Sequence, residues 1–206
     1  MIIFSKKAYQ KIRHFVSHTS YEISGLGKSR FIDNRTILVQ DIEILDQENS
    51  FSGTTIDEGA MAKFLQKNIN ESKDWNIWWH SHANMETFWS FTDEQTIEET
   101  TGGNYLLSIV VNRKMSMLAR FDLFNPLRLT LELDVKKPKG RSKQRQKQYL
   151  TKYCQDRIKT CIREIEPYKF QFQGFKGKKK FLTQKNIKSL LESLEQETLD
   201  QQRPMD

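Results

Sequence analysis

Cysteine is scarce in this chain: 206 residues contain two, Cys154 and Cys161. Seven positions apart in a stretch that reads as helix, they lie about two turns, or roughly 10 Å, apart along one face. A disulfide needs a much shorter Cα separation, so both read as free or buried thiols of a reducing compartment. Long apolar runs are also missing. Met1-Ile2-Ile3-Phe4 is too short for a secretory signal, and no stretch approaches the ~18 apolar residues of a membrane span. A cytoplasmic protein without a membrane partner is expected, and no internal repeat points to a solenoid.

Acidic residues all but vanish from one block. Residues 1–135 hold 14 Lys and Arg against 18 Asp and Glu, residues 136–188 hold 18 against 3, and residues 189–206 hold 1 against 5. The net charge of +7 and the pI of about 9.3 therefore belong to a single segment. A chain of this length, 37% hydrophobic and 29% charged, can bury a core as one average domain with an extension or as two small ones. The change at 135 suggests a folded domain over 1–135 and, over 136–206, a basic extension with two amphipathic helices.

Ser5 caps a helix that Tyr9, Ile12, Phe15 and Val16 carry to about His18. Tyr21 to Gly27 reads as a short strand bearing Glu22 and ending in a Gly25-Leu26-Gly27 turn. Thr36 to Leu45 is a strand with a bulge near Asp41, where its apolar face changes side. Thr55-Ile56-Asp57-Glu58 has the form of a capping box and predicts a helix to about Asn68 that buries Met61, Phe64 and Leu65. Asn76 to His82 is an aromatic, apolar strand, and Thr92-Asp93-Glu94-Gln95 opens a helix that stops at Gly102-Gly103. Three strands follow, at 105–111, 115–123 and 127–135, the last alternating as Leu127, Leu129, Leu131 and Leu133. This order predicts an α/β or α+β domain. Beyond it, 136–147 reads as a linker, and 148–165 as a helix with Leu150, Cys154, Ile158, Cys161, Ile162 and Ile165 along one side. A last helix uses Ile187, Leu190, Leu191 and Leu194.

Two of the chain's 4 histidines, His80 and His82, stand one residue apart at the end of the aromatic strand. Alternate strand residues face the same way, so both imidazoles project from one face while Ser81 points to the other. Asp93, in the first turn of the next helix, adds a carboxylate. Two nitrogens and one oxygen leave the fourth place of a tetrahedral site open, the pattern of catalytic rather than structural zinc. Amide hydrolysis further needs a base for the attacking water and a donor facing the developing oxyanion. Glu22 and Ser90 supply these if their elements neighbour the histidines; Glu86, closer in sequence, competes for the role of base.

Glu22, His80-Ser81-His82, then seven residues, Ser90, two residues and Asp93 form a series that resembles the JAMM motif of MPN/JAB-domain metalloproteases, Glu followed by His-x-His-x7-Ser-x2-Asp. Every signature position is filled, and the resemblance covers roughly residues 1–135. It implies a three-layer α-β-α, deaminase-like domain of a prokaryotic or phage-type relative. It also implies one zinc ion on His80, His82 and Asp93, Glu22 rather than Glu86 as general acid/base, and Ser90 as oxyanion donor. The activity implied is hydrolysis of an amide or lysine-linked isopeptide bond in a ubiquitin-like or other protein substrate. Some family members have lost their ligands and serve as scaffolds, whereas this chain keeps them all. Residues 136–206 do not match the motif-bearing core.

Ser90 and Asp93 also spell a helix cap, a role compatible with catalysis. His14 and His18, four apart on a helix, have a metal-binding spacing without a carboxylate and read as a solvated edge. Trp78, Trp79 and Trp89 read as core and pocket wall, with Trp89 beside Ser90 shaping a substrate groove. The basic block reads plainly as a solvated, partly disordered extension. Against that, aromatics interleave with lysines from Tyr168 to Phe181, and Lys176, Lys178, Lys179 and Lys180 form a candidate anion site for nucleic acid or an acidic partner. Two further function classes remain. One is a non-catalytic metal-binding module tethered through the basic extension; the other is a non-haem iron oxygenase, because two His and one Asp also make a facial triad. The oxygenase explains neither Glu22 nor Ser90. Deleting residues 136–206 is expected to spare hydrolysis and abolish polyanion binding.

Overall fold

The computed structural model describes residues 1–50, 53–100, 104–140 and 144–164, which lie in one compact unit, Met1–Tyr168. The expected aromatic–lysine segment, the last amphipathic helix and Lys176, Lys178, Lys179 and Lys180 fall outside the described residues. The chain runs β1 (Ile2–Phe4), α1 (Lys6–Ser17), β2 (Ser24–Asp33), β3 (Thr36–Ile44), β4 (Gln47–Ser50), β5 (Gly53–Ile56) and α2 (Glu58–Lys67). A 3-10 turn (Ile69–Asp74) leads to β6 (Ile77–Ser81), α3 (Phe91–Glu99), β7 (Tyr105–Val111), β8 (Met117–Leu123), β9 (Leu129–Glu132), β10 (Val135–Lys136), α4 (Gln144–Cys161) and β11 (Ile162–Glu164). This is a mixed α/β architecture.

Eight strands form one sheet in the order β10-β1-β3-β2-β6-β7-β8-β9, and β11-β4-β5 form a smaller one. The large sheet curls until its ends meet. β9 pairs with β8 while β10, two residues further on, pairs with β1, and the Leu133 amide still donates to the Ala119 carbonyl. One bent segment thus joins both margins of the sheet.

Ser5 caps α1, accepting from the Ala8 amide at 3.0 Å, and α1 buries Ala8, Ile12, Phe15 and Val16. Phe15 stacks on Trp79 of β6 at 6.2 Å, so α1 lies on the Trp79 face of the sheet. The register between β2 and β3 shifts where Lys28 faces Asp41 and Ser29 faces Val39, leaving Gln40 unmatched, so the bulge expected near Asp41 is present. Gly25 and Gly27 are not a turn. They sit inside β2, where a Cβ on Gly25 would lie 2.0 Å from the Glu43 carbonyl oxygen and 2.8 Å from Trp79 Nε1. Glycine is what lets β3 and the Trp79 ring close on β2.

Four other expectations need correction. β2 begins at Ser24 and reaches Asp33, so Glu22 precedes the strand instead of lying within it. The α2 cap is Asp57, accepting from Ala60 at 2.7 Å, because Thr55 and Ile56 are committed to β5; Met61, Phe64 and Leu65 are only half-buried. Leu127, Leu129 and Leu131 are exposed and only Leu133 packs on the core, because β9 is a sheet margin that nothing described covers. The change of charge at 135 does not bound the folded unit. α4 starts at Gln144, packs on α1, and places Leu150, Cys154 and Cys161 in buried positions, while Ile162 leaves the helix to begin β11 beside β4.

α4 is also tied in by charge. The Tyr153 hydroxyl donates to Glu43 at 2.6 Å and Arg157 Nε donates at 3.2 Å, while buried Lys11 reaches Glu43 at 2.8 Å and Asp41 at 3.0 Å. Both cysteines are free and buried, and burial pushes the Cys154 thiol up to about 12, so it stays protonated and unreactive. Among the described residues no helix is long and apolar enough to cross a membrane.

Candidate metal centre

β6 sits between antiparallel β2 and parallel β7, in register Ser24 to His80 and His80 to Val110. Alternation along β6 sends Trp79 toward α1 and sends Trp78 and His80 to the opposite face, where their rings stack at 4.6 Å. Beyond Ser81 the chain leaves the sheet. Ala83 takes a left-handed φ of 41°, and its carbonyl accepts from the Arg113 amide at 2.8 Å. The tight turn that follows brings the Glu86 carbonyl to 3.0 Å from His82 Nδ1. Nδ1 therefore carries the hydrogen, and Nε2 keeps its lone pair for a ligand.

α3 supplies the third donor. Ser90 and Asp93 form a reciprocal capping box: the Ser90 amide donates to Asp93 Oδ2 at 2.7 Å, and the Asp93 amide donates to Ser90 Oγ at 3.2 Å. The cap is Ser90, not Thr92. It turns the Asp93 carboxylate to 3.1 Å from His80 Nε2 and 3.7 Å from His82 Nε2, and the two Nε2 atoms lie 3.1 Å apart. All three side chains are buried, and their donor atoms fall within 4.8 Å of one another. Two imidazole nitrogens and a carboxylate oxygen converging on one point suit a divalent ion, so His80, His82 and Asp93 can hold a metal.

The charges agree with that geometry. Burial disfavours the Asp93 carboxylate, but the two imidazoles beside it and the Ser90 amide that donates to it outweigh that and hold the group far below its usual range. His80 and His82 share Asp93 yet shift oppositely. Burial dominates for His80, between the Trp78 face and the Trp89 edge, and lowers it. For His82 burial also opposes the charge, but Asp93 and the Glu86 carbonyl prevail and raise it.

Glu22 enters the same space from the segment before β2. It lines a cavity of about 220 Å³ together with His80, His82, Ser90 and Asp93, walled by Trp78, Met85 and Phe88. Burial raises the Glu22 carboxyl, the Asp93 charge adds to the rise, and His82 opposes it. Larger hollows of about 370 and 610 Å³ lie elsewhere and contain none of these groups, so the chemistry, not the volume, singles out this cavity.

Several residues that position Glu22 escaped the sequence reading. Gln47 clasps Ser24, accepting from its amide at 2.9 Å and donating to its carbonyl at 2.8 Å. Asn49 donates to the Glu22 carbonyl at 2.6 Å, and Ser81 Oγ accepts from the Ile23 amide at 3.1 Å. Gln47 and Asn49 stand two apart on β4 and so share its buried face, but β4 is polar at every position, and the sequence carried no signal that singled these two out. Trp89 is not part of the cavity lining; its ring lies edge-on to His80 at 6.2 Å and under the Arg120 guanidinium at 4.8 Å. Glu86 contributes its backbone carbonyl, and its side chain does not line the cavity. His14 bonds Thr151 at 3.0 Å and, with His18, joins no metal-holding group among the described residues.

No protein-family model matches the chain, and no curated protein matches it. The site therefore stands on its geometry, a buried pair of histidines and one aspartate able to hold a metal ion.

Proposed function

We propose that this protein is a JAMM-type zinc metallopeptidase or isopeptidase on a deaminase-like α-β-α domain, hydrolysing an amide or lysine-linked bond in a ubiquitin-like or other protein substrate. One observation carries the reading: Glu22, His80, His82, Ser90 and Asp93, from three separated stretches of chain, line one cavity. A metal site alone does not require the glutamate and the serine; amide hydrolysis does.

His80 and His82, through Nε2, and the Asp93 carboxylate would hold the zinc ion. Zinc supplies Lewis acidity there, polarising a carbonyl and lowering the pKa of water to about 7. Glu22, its carboxyl raised by burial, is suited to take a proton from the attacking water and return it to the leaving amine. Ser90 Oγ accepts from the Asp93 amide, which leaves its hydroxyl hydrogen to donate to the oxyanion. Trp78, Met85 and Phe88 give the cavity an apolar wall. About 220 Å³ takes in a short chain segment or a lysine arm, not a folded surface.

The test is cleavage of a lysine-branched ubiquitin-like substrate by the wild type and by Glu22→Gln, with metal content measured on both. The variant should keep one zinc per chain and lose ~10²- to 10⁴-fold in rate. Equal inertness of both proteins across a broad substrate panel would favour the non-catalytic module, and stoichiometric iron with oxygen uptake would favour the oxygenase.

A further inference from the structure

We propose that the outer faces of α1 and α4 together form a docking surface for a nucleic-acid backbone. The two helices adjoin, with His14 of α1 bonded to Thr151 of α4 at 3.0 Å. α1 carries Lys6, Lys7, Lys11 and Arg13 without one acidic residue, and Asp156 is the sole acid of α4. Part of this charge is spent inside the fold, since Lys7 and Lys11 pair with Asp41 and Arg157 pairs with Glu43. Lys6, Arg13, Arg145, Lys147, Lys152 and Lys159 remain exposed, and none of them pairs with a carboxylate among the described residues. Burial and then His18 do most to disfavour protonation of His14, and the charges of Arg13 and Lys147, one from each helix, add to it, so both helices face the same space with positive charge.

The chemistry of the surface selects among polyanions. Gln144, Lys147, Gln148, Thr151, Lys152 and Gln155 recur at helical spacing and line an open hollow of about 610 Å³. Amides, hydroxyls and ammonium groups are the side chains that hold phosphate and sugar oxygens. Tyr149, 69% exposed, is the one large apolar side chain that the described part of either helix exposes, and it offers a ring for stacking. A protein partner would need an apolar centre to its interface, and among the described residues of this face Tyr149 is the single large exposed ring. α1 covers the Trp79 side of β6 while His80 faces the other way, so a strand bound here leaves the metal cavity open. The nucleic acid is thus a tether and not the substrate, and the inference does not depend on the proposed hydrolysis.

The experiment titrates the full chain against a labelled 20-nucleotide single strand of mixed sequence at several salt concentrations, with polyglutamate as competitor. Wild type should bind with log K falling linearly in log salt. Arg13→Gln/Lys147→Gln/Lys152→Gln should bind roughly tenfold or more weakly, with a salt slope shallower by about 2, three phosphate contacts having been removed. All three residues are exposed, so the melting temperature should not move, and His80→Ala should bind like wild type. No binding by the wild type, unchanged affinity of the triple variant, or polyglutamate competing as well as unlabelled strand would each overturn the proposal.

Discussion

Ala83 adopts φ 41°, a region costly for a residue with a Cβ, and that turn carries the Glu86 carbonyl to His82. Ala83→Gly should leave metal affinity intact and raise stability by up to ~1 kcal/mol, whereas Ala83→Val should cost about 2 kcal/mol and weaken metal binding. Denaturant melts and metal titrations measure both effects. Asn49 is fully buried, and its amide nitrogen donates to the Glu22 backbone carbonyl and to Gln47 Oε1, with Thr54 Oγ1 also within 3.1 Å. Asn49→Ala should lose roughly 2 kcal/mol and lower the hydrolytic rate while sparing metal content. Asp41 gives a pH signature. Burial opposes its ionisation, but Lys11 and Lys7 outweigh that and hold the carboxyl below its ordinary 3.8. Its contribution to stability is therefore complete above the unfolded value and lost as pH falls through the lower folded one. Asp41→Asn should flatten the acid limb of the stability curve below about pH 4; an unchanged limb would exclude that role. At this scale the motif residues were legible because fixed spacings carry them. Gln47, Asn49 and Ser81 were not, because their partners lie on other strands.

Among the elements, α4 departs furthest from what charge suggested. A chain ending at residue 135 loses the Leu150, Cys154 and Cys161 packing and strips Tyr153 and Arg157 from buried Glu43. Removing partners from a buried charge typically costs 3–5 kcal/mol, so that truncation should be unfolded or aggregated instead of active. A chain ending at residue 168 should melt cooperatively, and circular dichroism of the two truncations decides the point. α1, β6 and β7 were legible from their periods and, for α1, its Ser5 cap. α2 was placed correctly but capped wrongly, because its Thr-x-x-Glu pattern overlaps the Asp57 cap; for α3 the sequence offered both Thr92 and Ser90 as caps, and the chain uses Ser90. β9 misled because alternating leucines signal one common face without saying whether anything covers it.

For the whole molecule, a metal on His80, His82 and Asp93 would link the end of β6 to α3, a helix whose only buried residues are Asp93 and Ile97. Zinc at a hundredfold excess over its dissociation constant should stabilise the fold by about 2.7 kcal/mol. For a chain of this size that is a rise of roughly 5–10 °C in Tm, reversed by chelation and absent in His80→Ala. Calorimetry with and without zinc reads it directly. The curled sheet has its own dependence, since β10 closes it through two residues paired with β1.

The sequence by itself determined the local periods, the α1 cap, the bulge near Asp41 and the spacing that marks His80, His82, Ser90 and Asp93; Glu22, far upstream, was added only by the resemblance. These are properties of neighbours along the chain, set by backbone geometry and side-chain alternation. Only the tertiary structure decided that α4 belongs to the core, that Trp89 stands behind the cavity, and that Gln47, Asn49 and Ser81 hold Glu22 in place. Buried polar groups and charges must find partners wherever the fold brings them, and partner identity is a property of space, not of sequence distance.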